Sequence, residues 1–117
     1  MIQFYEYKKC STCRNAAAYL EKRKIPFQRL AIRETPPSAE ELKKMLQYTG
    51  GEIRKIMNTS GLDYKALGLK DKMDGMSESE IFKLLGKNGN LVKRPFVLGK
   101  NFGVVGFKEE EWDQKVK

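Results

Sequence analysis

The chain has 117 residues and a mass of 13.5 kDa, which predicts one domain over 1–117 whose core needs no metal or disulfide staples. No apolar run approaches the ~20 residues of a membrane helix, so a spanning segment is excluded. The net charge of +8 favours acidic partners, but 23 basic and 15 acidic residues are intermixed, which argues against direct nucleic-acid binding. Without histidine, acid–base chemistry falls to thiols, lysines, carboxylates, tyrosines or water.

The first thirty residues predict a βαβ unit. Residues 1–7 have the apolar, partly alternating pattern of a buried strand. An amphipathic helix begins at Ser11, and a second strand covers 27–32 after the break at Pro26. Strands joined by one helix in this way are expected to be parallel.

A helical middle of about four short helices is predicted over about 36–90. Two of these helices begin at capping boxes, which are formed by Ser38 with Glu41 and by Ser77 with Glu80. The other two lie around 53–57 and 64–68, and the glycines of 86–89 close the last one. A hairpin with strands at 96–98 and 103–107 follows, and a final helix over 109–116 ends the chain.

Both cysteines lie in one stretch, Lys8-Lys9-Cys10-Ser11-Thr12-Cys13-Arg14. Chance gives this spacing in roughly one arrangement in sixty. Thiols at a helix N-terminus with cationic neighbours have pKa values lowered from ~8.5 toward ~3.5–7.5. Cys10 is therefore predicted to be a nucleophilic thiolate, and Cys13, one turn on, is predicted to resolve the mixed disulfide.

Three other interpretations of the cysteine pair stay open. The pair could be half of a zinc site, although without further cysteine or histidine the site would need carboxylates or a symmetric dimer. The cysteines could also be two inert structural thiols. A permanent disulfide is disfavoured, because the chain begins with a strand in place of a leader and a reducing cytoplasm is the expected compartment.

The dipeptide Arg94-Pro95 precedes the third predicted strand. One interpretation is a rigid strand start with an exposed arginine. The other places Arg94 beside Cys10, because a third strand antiparallel to the first returns its start to the end of that strand. Arg94 would then stabilise the thiolate or hold an oxyanion.

Together these features resemble the arsenate reductase (ArsC) and Spx family over essentially the whole chain. The matching stretches are Tyr5 to Arg14, Pro36-Pro37-Ser38, Asn58-Thr59-Ser60-Gly61 and Arg94-Pro95 with its hairpin. The resemblance implies an α/β, thioredoxin- or glutaredoxin-like fold with a four-stranded mixed sheet and a helical insertion. It also implies that Cys10 is the redox-active nucleophile, Arg94 its oxyanion or thiolate partner, and Pro95 a cis proline facing the active site.

Two departures from the family pattern bear on the substrate. Glutathione-linked arsenate reductases of this family use one cysteine and three arginines, whereas Asn58 and Phe107 stand at two of those arginine positions here. Efficient arsenate reduction is therefore not expected. Spx-like members bind the C-terminal domain of the RNA polymerase α subunit through a surface that includes a glycine near Gly51, but a helix C-cap also explains that glycine.

The sequence thus favours a cytoplasmic thiol-disulfide oxidoreductase of the ArsC/Spx family. The alternative is an Spx-like redox-sensing regulator that binds the RNA polymerase α subunit. The expected site contains Cys10, Cys13 and Arg94, with Pro95, Ser11, Thr12, Arg14 and Asn58 around them. No bound cofactor or metal is expected. The expected co-substrate is a thiol reductant, glutathione with glutaredoxin or thioredoxin, and the expected partners are protein or small-molecule thiols and disulfides, or an oxyanion such as arsenate.

Overall fold

The computed structural model describes residues 1–116, in which a four-stranded sheet has the strand order β2-β1-β3-β4. The strands are β1 (Ile2–Glu6), β2 (Phe27–Ala31), β3 (Phe96–Leu98) and β4 (Gly103–Val105). β1 is parallel to β2 and antiparallel to β3, and β4 is antiparallel to β3. The predicted mixed sheet and the parallel first pair are confirmed.

Six α-helices are found among residues 1–116. They are α1 (Ser11–Lys22), α2 (Ala39–Tyr48), α3 (Leu62–Ala66), α4 (Leu69–Lys72), α5 (Glu78–Lys87) and α6 (Glu109–Lys115). Short 3₁₀ turns at Ile53–Ile56, Met73–Gly75 and Gly89–Leu91 connect some of them. Elements α2 to α5 form the predicted insertion between the βαβ and ββα parts.

The two faces of the sheet carry separate apolar clusters, because successive side chains of a strand point to opposite faces. Phe4 packs on one face with Leu20 and Trp112, which belong to α1 and α6. Tyr5 packs on the other face with Leu42 and the remaining apolar side chains of the insertion. The sheet is thus buried between two helical layers, and the ends of its strands hold the loops at which a site can form.

Both predicted capping boxes are present. The Ser38 hydroxyl accepts a hydrogen bond from the Glu41 amide at 3.2 Å, and the Glu41 carboxylate accepts one from the Ser38 amide at 2.9 Å. Ser77 and Glu80 repeat this arrangement at 3.1 Å in both directions. These reciprocal bonds satisfy amides that the first turn of a helix leaves without partners.

Three details of the prediction were wrong. The predicted helix around 53–57 is the 3₁₀ turn Ile53–Ile56, and the middle also contains α4 and the 3₁₀ turns Met73–Gly75 and Gly89–Leu91, whose three or four residues show no helical period of their own. Gly86 lies inside α5 and does not close it. β4 ends at Val105, since Gly106 takes a positive φ of 70° and turns the chain so that Phe107 packs edge-on against Trp112.

Candidate active site

The two cysteines lie where β1 gives way to α1. The Cys10 amide donates to the Tyr7 carbonyl at 3.0 Å, which closes the turn between the two elements. Cys10 is the N-cap of α1, and its Sγ accepts a hydrogen bond from the Cys13 amide at 3.3 Å. The sulfur thus takes the position in which a serine or aspartate oxygen usually caps a helix, where backbone amides and the helix dipole favour negative charge.

The two thiols have different surroundings. Cys10 is partly exposed, whereas Cys13 is completely buried, and both are free thiols. Burial, reinforced by the hydrogen bond to Cys10, raises the pKa of the Cys13 thiol from 9.0 to about 12, against the lowering effects of the Tyr7 backbone and the Arg94 charge. Cys13 therefore holds its proton at neutral pH, and Cys10 is the sulfur that a substrate can reach.

The antiparallel pairing of β1 with β3 brings Arg94 to the cysteine pair. Tyr5 lies opposite Phe96, so the start of β3 is beside the end of β1. The Arg94 guanidinium carbon is 4.9 Å from the centre of the Tyr7 ring. Arg94 is half-buried, and its Nη1 is buried without a hydrogen-bond partner among residues 1–116. A charged donor with unused hydrogen-bonding capacity thus lies within electrostatic range of Cys13, whose pKa its charge lowers.

A second polar group, centred on Asp63, lies within electrostatic range of this arginine. The Asp63 carboxylate accepts hydrogen bonds from the side-chain amides of Asn88 at 3.0 Å and Asn90 at 3.2 Å. These two bonds hold the pKa of Asp63 below its ordinary value, and the charges of Arg33 and Arg94 lower it further. Asp63 is therefore ionised at neutral pH and lies within electrostatic range of Arg94.

Tyr7 connects the arginines to the cysteine turn. Arg33 donates to the Tyr7 hydroxyl at 3.1 Å, and its guanidinium carbon is 5.0 Å from the centre of the Tyr7 ring. Arg94 contacts the same ring. Such contacts between a guanidinium and an aromatic ring restrict the cation while leaving donors available.

A groove of about 730 Å³ opens beside Cys10. It brings together four of the predicted site residues, Cys10, Thr12, Asn58 and Arg94, and Phe107 lines it as well. The side-chain amide of Asn58 donates to the Asn90 backbone carbonyl at 3.3 Å, so this side chain also connects the groove wall to the 3₁₀ turn at Gly89–Leu91.

Cys13 lies beneath Cys10, and the other three predicted site residues are neighbours of this region that do not line the groove. Ser11 and Arg14 are exposed on α1 and do not line the groove, and Arg14 donates to the Lys8 carbonyl at 3.4 Å. Pro95 is buried, outside the groove lining, and follows a cis peptide bond. Its carbonyl accepts from the Gly106 amide at 2.9 Å, which joins the start of β3 to the end of β4.

Several residues of this region carried no signal in the sequence. In the sequence, Tyr7 ends a predicted strand, Asp63 lies outside the predicted helices and motifs, and Lys93, Lys108 and Lys115 belong to the intermixed surface charges. The groove collects the three lysines beside Cys10, and Tyr7 and Asp63 lie within reach of Arg94. Their segments are far apart in the chain, so no local pattern could have grouped them.

The described part of the chain contains neither a group of side chains suited to bind a metal ion nor a helix suited to span a membrane. Within residues 1–116, no group of three or more histidine, cysteine, aspartate or glutamate side chains is placed to hold a metal ion. Over the same residues, none of the helices combines the length and the apolar character needed to cross a membrane.

Comparison with known proteins assigns the chain to a family. The model of the ArsC family matches residues 5–115. The Bacillus subtilis (strain 168) protein YusI is 42% identical over 97% of this chain and 96% of its own length. The global transcriptional regulator Spx of Streptococcus mutans is 32% identical over 95% of this chain and 80% of its own. A crystal structure described as a possible arsenate reductase from Streptococcus mutans UA159 superposes with a TM-score of 0.87 at 40% identity, covering 97% of this chain and 98% of that one. The chain therefore belongs to the ArsC family.

Proposed function

We propose that this protein is a thiol-disulfide oxidoreductase in which Cys10 attacks and Cys13 resolves. The observation that carries the proposal is the difference between the two thiols. Cys10 caps α1 and lines the groove, whereas Cys13, three positions on, is buried and holds its proton. An accessible sulfur next to a protected one is the arrangement that two-step disulfide exchange needs.

The reaction follows from these positions. The Cys10 thiolate attacks one sulfur of a substrate disulfide, a new S–S bond forms, and the second substrate sulfur leaves as a thiolate that takes up a proton from water. The Cys13 thiol then loses its proton and attacks the Cys10 sulfur. The first substrate sulfur leaves with a proton, and Cys10 and Cys13 remain joined in a disulfide. Two electrons thus pass from the pair to the substrate.

Arg94 and the helix start support the charge that this chemistry places on sulfur. The Cys13 amide already donates to the Cys10 sulfur at 3.3 Å. Arg94 lines the same groove, and its buried Nη1 has no hydrogen-bond partner among residues 1–116. We assign it the stabilisation of the attacking and leaving thiolates, or of an oxyanion bound in their place.

A complete catalytic cycle needs a reductant for the oxidised pair. We propose a cellular thiol system for this step, glutathione with glutaredoxin or thioredoxin, acting in a reducing cytoplasm. We propose a disulfide, and not arsenate, as the main substrate, although structural relatives are described as arsenate reductases. Asn58 and Phe107 line the groove at two positions where arsenate-reducing members are expected to have arginine.

The test is the exchange rate of the reduced protein with 2-hydroxyethyl disulfide, a neutral substrate that needs no special recognition. The parent should react far faster than Cys10→Ser, whose rate should equal that of buffer alone. Equal rates for parent and Cys10→Ser would refute the proposal. Turnover of arsenate with glutathione and glutaredoxin, measured against the same variant, decides separately whether an oxyanion is reduced.

A second candidate function is favoured by the similarity to Spx regulators, which covers 95% of this chain. In that case the cysteine pair is a redox switch, and the partner is the C-terminal domain of the RNA polymerase α subunit. Gly51 does not support polymerase binding, because its positive φ of 82° is by itself a sufficient reason for a glycine at this position. A pull-down with the polymerase domain, with the pair oxidised and then reduced, tests this role, and absence of binding in both states excludes it.

A further inference from the structure

The groove beside Cys10 has a strongly uneven charge. Its lining contains six of the 23 basic residues of the chain but, in Glu111, one of the 15 acidic residues. The lining therefore carries a net charge of +5, more than half of the +8 of the whole protein. The basic residues are Arg54, Lys55, Lys93, Arg94, Lys108 and Lys115.

Most of these cations are available to a ligand. Arg54 pairs with Asp74 and Lys55 pairs with Glu52, each at 3.4 Å. The other four, Lys93, Arg94, Lys108 and Lys115, have no carboxylate partner within 4.0 Å among residues 1–116. Unpaired cations around a concave surface concentrate a positive potential there and attract anionic ligands.

One wall of the groove is the edge strand β4. The Gly106 amide donates to the Pro95 carbonyl at 2.9 Å, and the neighbouring residues Val105 and Phe96 are paired in the ladder. Bonded and non-bonded pairs alternate in an antiparallel ladder, so the amide and carbonyl of Val105 point away from β3. Val105 lines the groove, and β4 has no further strand beside it among residues 1–116. An extended peptide can bond to such an edge.

We propose that the groove takes an acidic, extended polypeptide segment and presents the cysteine of that segment, held in a disulfide, to Cys10. This inference rests on the proposed oxidoreductase function and names its substrate class. The unpaired cations recognise the carboxylates, and the edge of β4 recognises the peptide backbone. The attacking sulfur is Cys10, which lies in the same groove.

The experiment compares four activated disulfides with the reduced full-length protein. Three are peptides of equal length with a central cysteine flanked by glutamate, glutamine or lysine, each carrying a 2-thiopyridyl group on sulfur. The fourth is glutathione activated in the same way. Cys10 attacks the peptide or glutathione sulfur, the S–S bond to the pyridine group breaks, and 2-thiopyridone leaves with a proton. Cys13 then displaces the peptide or glutathione as a free thiol.

At low salt we expect the acidic peptide to react about tenfold faster than the neutral one, the basic peptide to be slowest, and added salt to shrink the difference. The double variant Lys108→Glu with Lys115→Glu should remove most of this preference. The control Lys43→Glu with Lys83→Glu changes the net charge equally on exposed helix positions outside the groove, and it should change the preference by less than about twofold.

The outcomes separate this inference from the function on which it rests. Equal rates for acidic and neutral peptides, or equal losses in the two double variants, overturn the acidic-peptide inference and leave the oxidoreductase function standing. Activated glutathione reacting as fast as the acidic peptide also overturns it, in favour of a small anionic disulfide. If no probe reacts faster with the parent than with Cys10→Ser, the proposed function itself fails.

Discussion

Replacing Arg94 with methionine should separate stability from activity. The side chain is half-buried, and its Nη1 has no hydrogen-bond partner among residues 1–116. Methionine has a similar length and no charge, so it can occupy the same space without an unsatisfied donor. The variant is therefore expected to be more stable and less active than the parent.

The size of both effects follows from the contacts. A buried donor without a partner costs ~1–3 kcal/mol, and removing it returns that amount to the folded state. Loss of the guanidinium contact with the Tyr7 ring, now at 4.9 Å, costs ~0.5–1 kcal/mol. We expect a net gain of about 1 kcal/mol in the free energy of unfolding. If Arg94 donates one charge-assisted bond to sulfur as charge develops there during exchange, worth ~1.5–3 kcal/mol, its removal should slow exchange about 10- to 150-fold.

Urea denaturation of the reduced protein measures the first effect, and exchange with 2-hydroxyethyl disulfide measures the second. The matched control is Arg54→Met, since Arg54 lines the same groove but is exposed and paired with Asp74 at 3.4 Å. We expect that control to change stability by less than ~0.5 kcal/mol and the rate by less than about twofold. An Arg94→Met protein that exchanges at the parental rate would refute the assigned role of Arg94, and one that is less stable would refute the energetic reasoning.

Three further predictions concern the thiols and two glycines. Cys13→Ser should still react through Cys10 but stop at the mixed disulfide, which mass spectrometry detects as one substrate thiol per protein. Because the pKa of Cys13 is raised to about 12 in the folded state, its stabilising effect is complete below pH 9 and lost as pH rises toward 12. Between pH 9 and 10, urea denaturation of the reduced proteins should show parent stability falling by about 1 kcal/mol more than that of Cys13→Ala, and parallel curves would contradict this. Gly89→Ala should cost about 3 kcal/mol, because its Cβ would lie 1.9 Å from the Ile32 carbonyl oxygen, whereas Gly86→Ala inside α5 meets no atom within 4 Å and should gain ~0.5–1 kcal/mol in the same assay.

Features that depend on neighbouring residues could be predicted from the sequence. The capping boxes at Ser38 and Ser77, the start of α1 at Ser11 and the parallel βαβ unit are all confirmed. Each rests on interactions within one or two turns or on a topological rule that holds for almost any sequence. α4 has four residues and follows Gly68 directly, without a turn sequence that separates it from the predicted helix before it, which explains why it was missed.

Only part of the candidate site could be predicted from residues that are neighbours in the sequence. The Lys8 to Arg14 stretch by itself placed Cys10 at a helix start with Cys13 one turn on, because a change from strand to helix pattern is written in consecutive residues. That Cys13 is fully buried while Cys10 stays partly exposed was decided by the packing of α1 onto the sheet. Burial depends on every element that covers a position, so the spacing of two residues carries no information about it.

The groove was decided by tertiary structure alone. Its cations come from the 3₁₀ turn at Ile53–Ile56, from the segment before β3 and from α6 with the residue before it. The bridge between Met57 and Val92 brings the first two segments together, and the antiparallel pairing of β3 with β4 brings the third beside them. In the sequence these residues look like an evenly mixed surface, and composition could supply no more than the sign of the net charge. Electrostatic potential depends on distance in space, so the sequence set how many charges the protein has and the fold set where they act together.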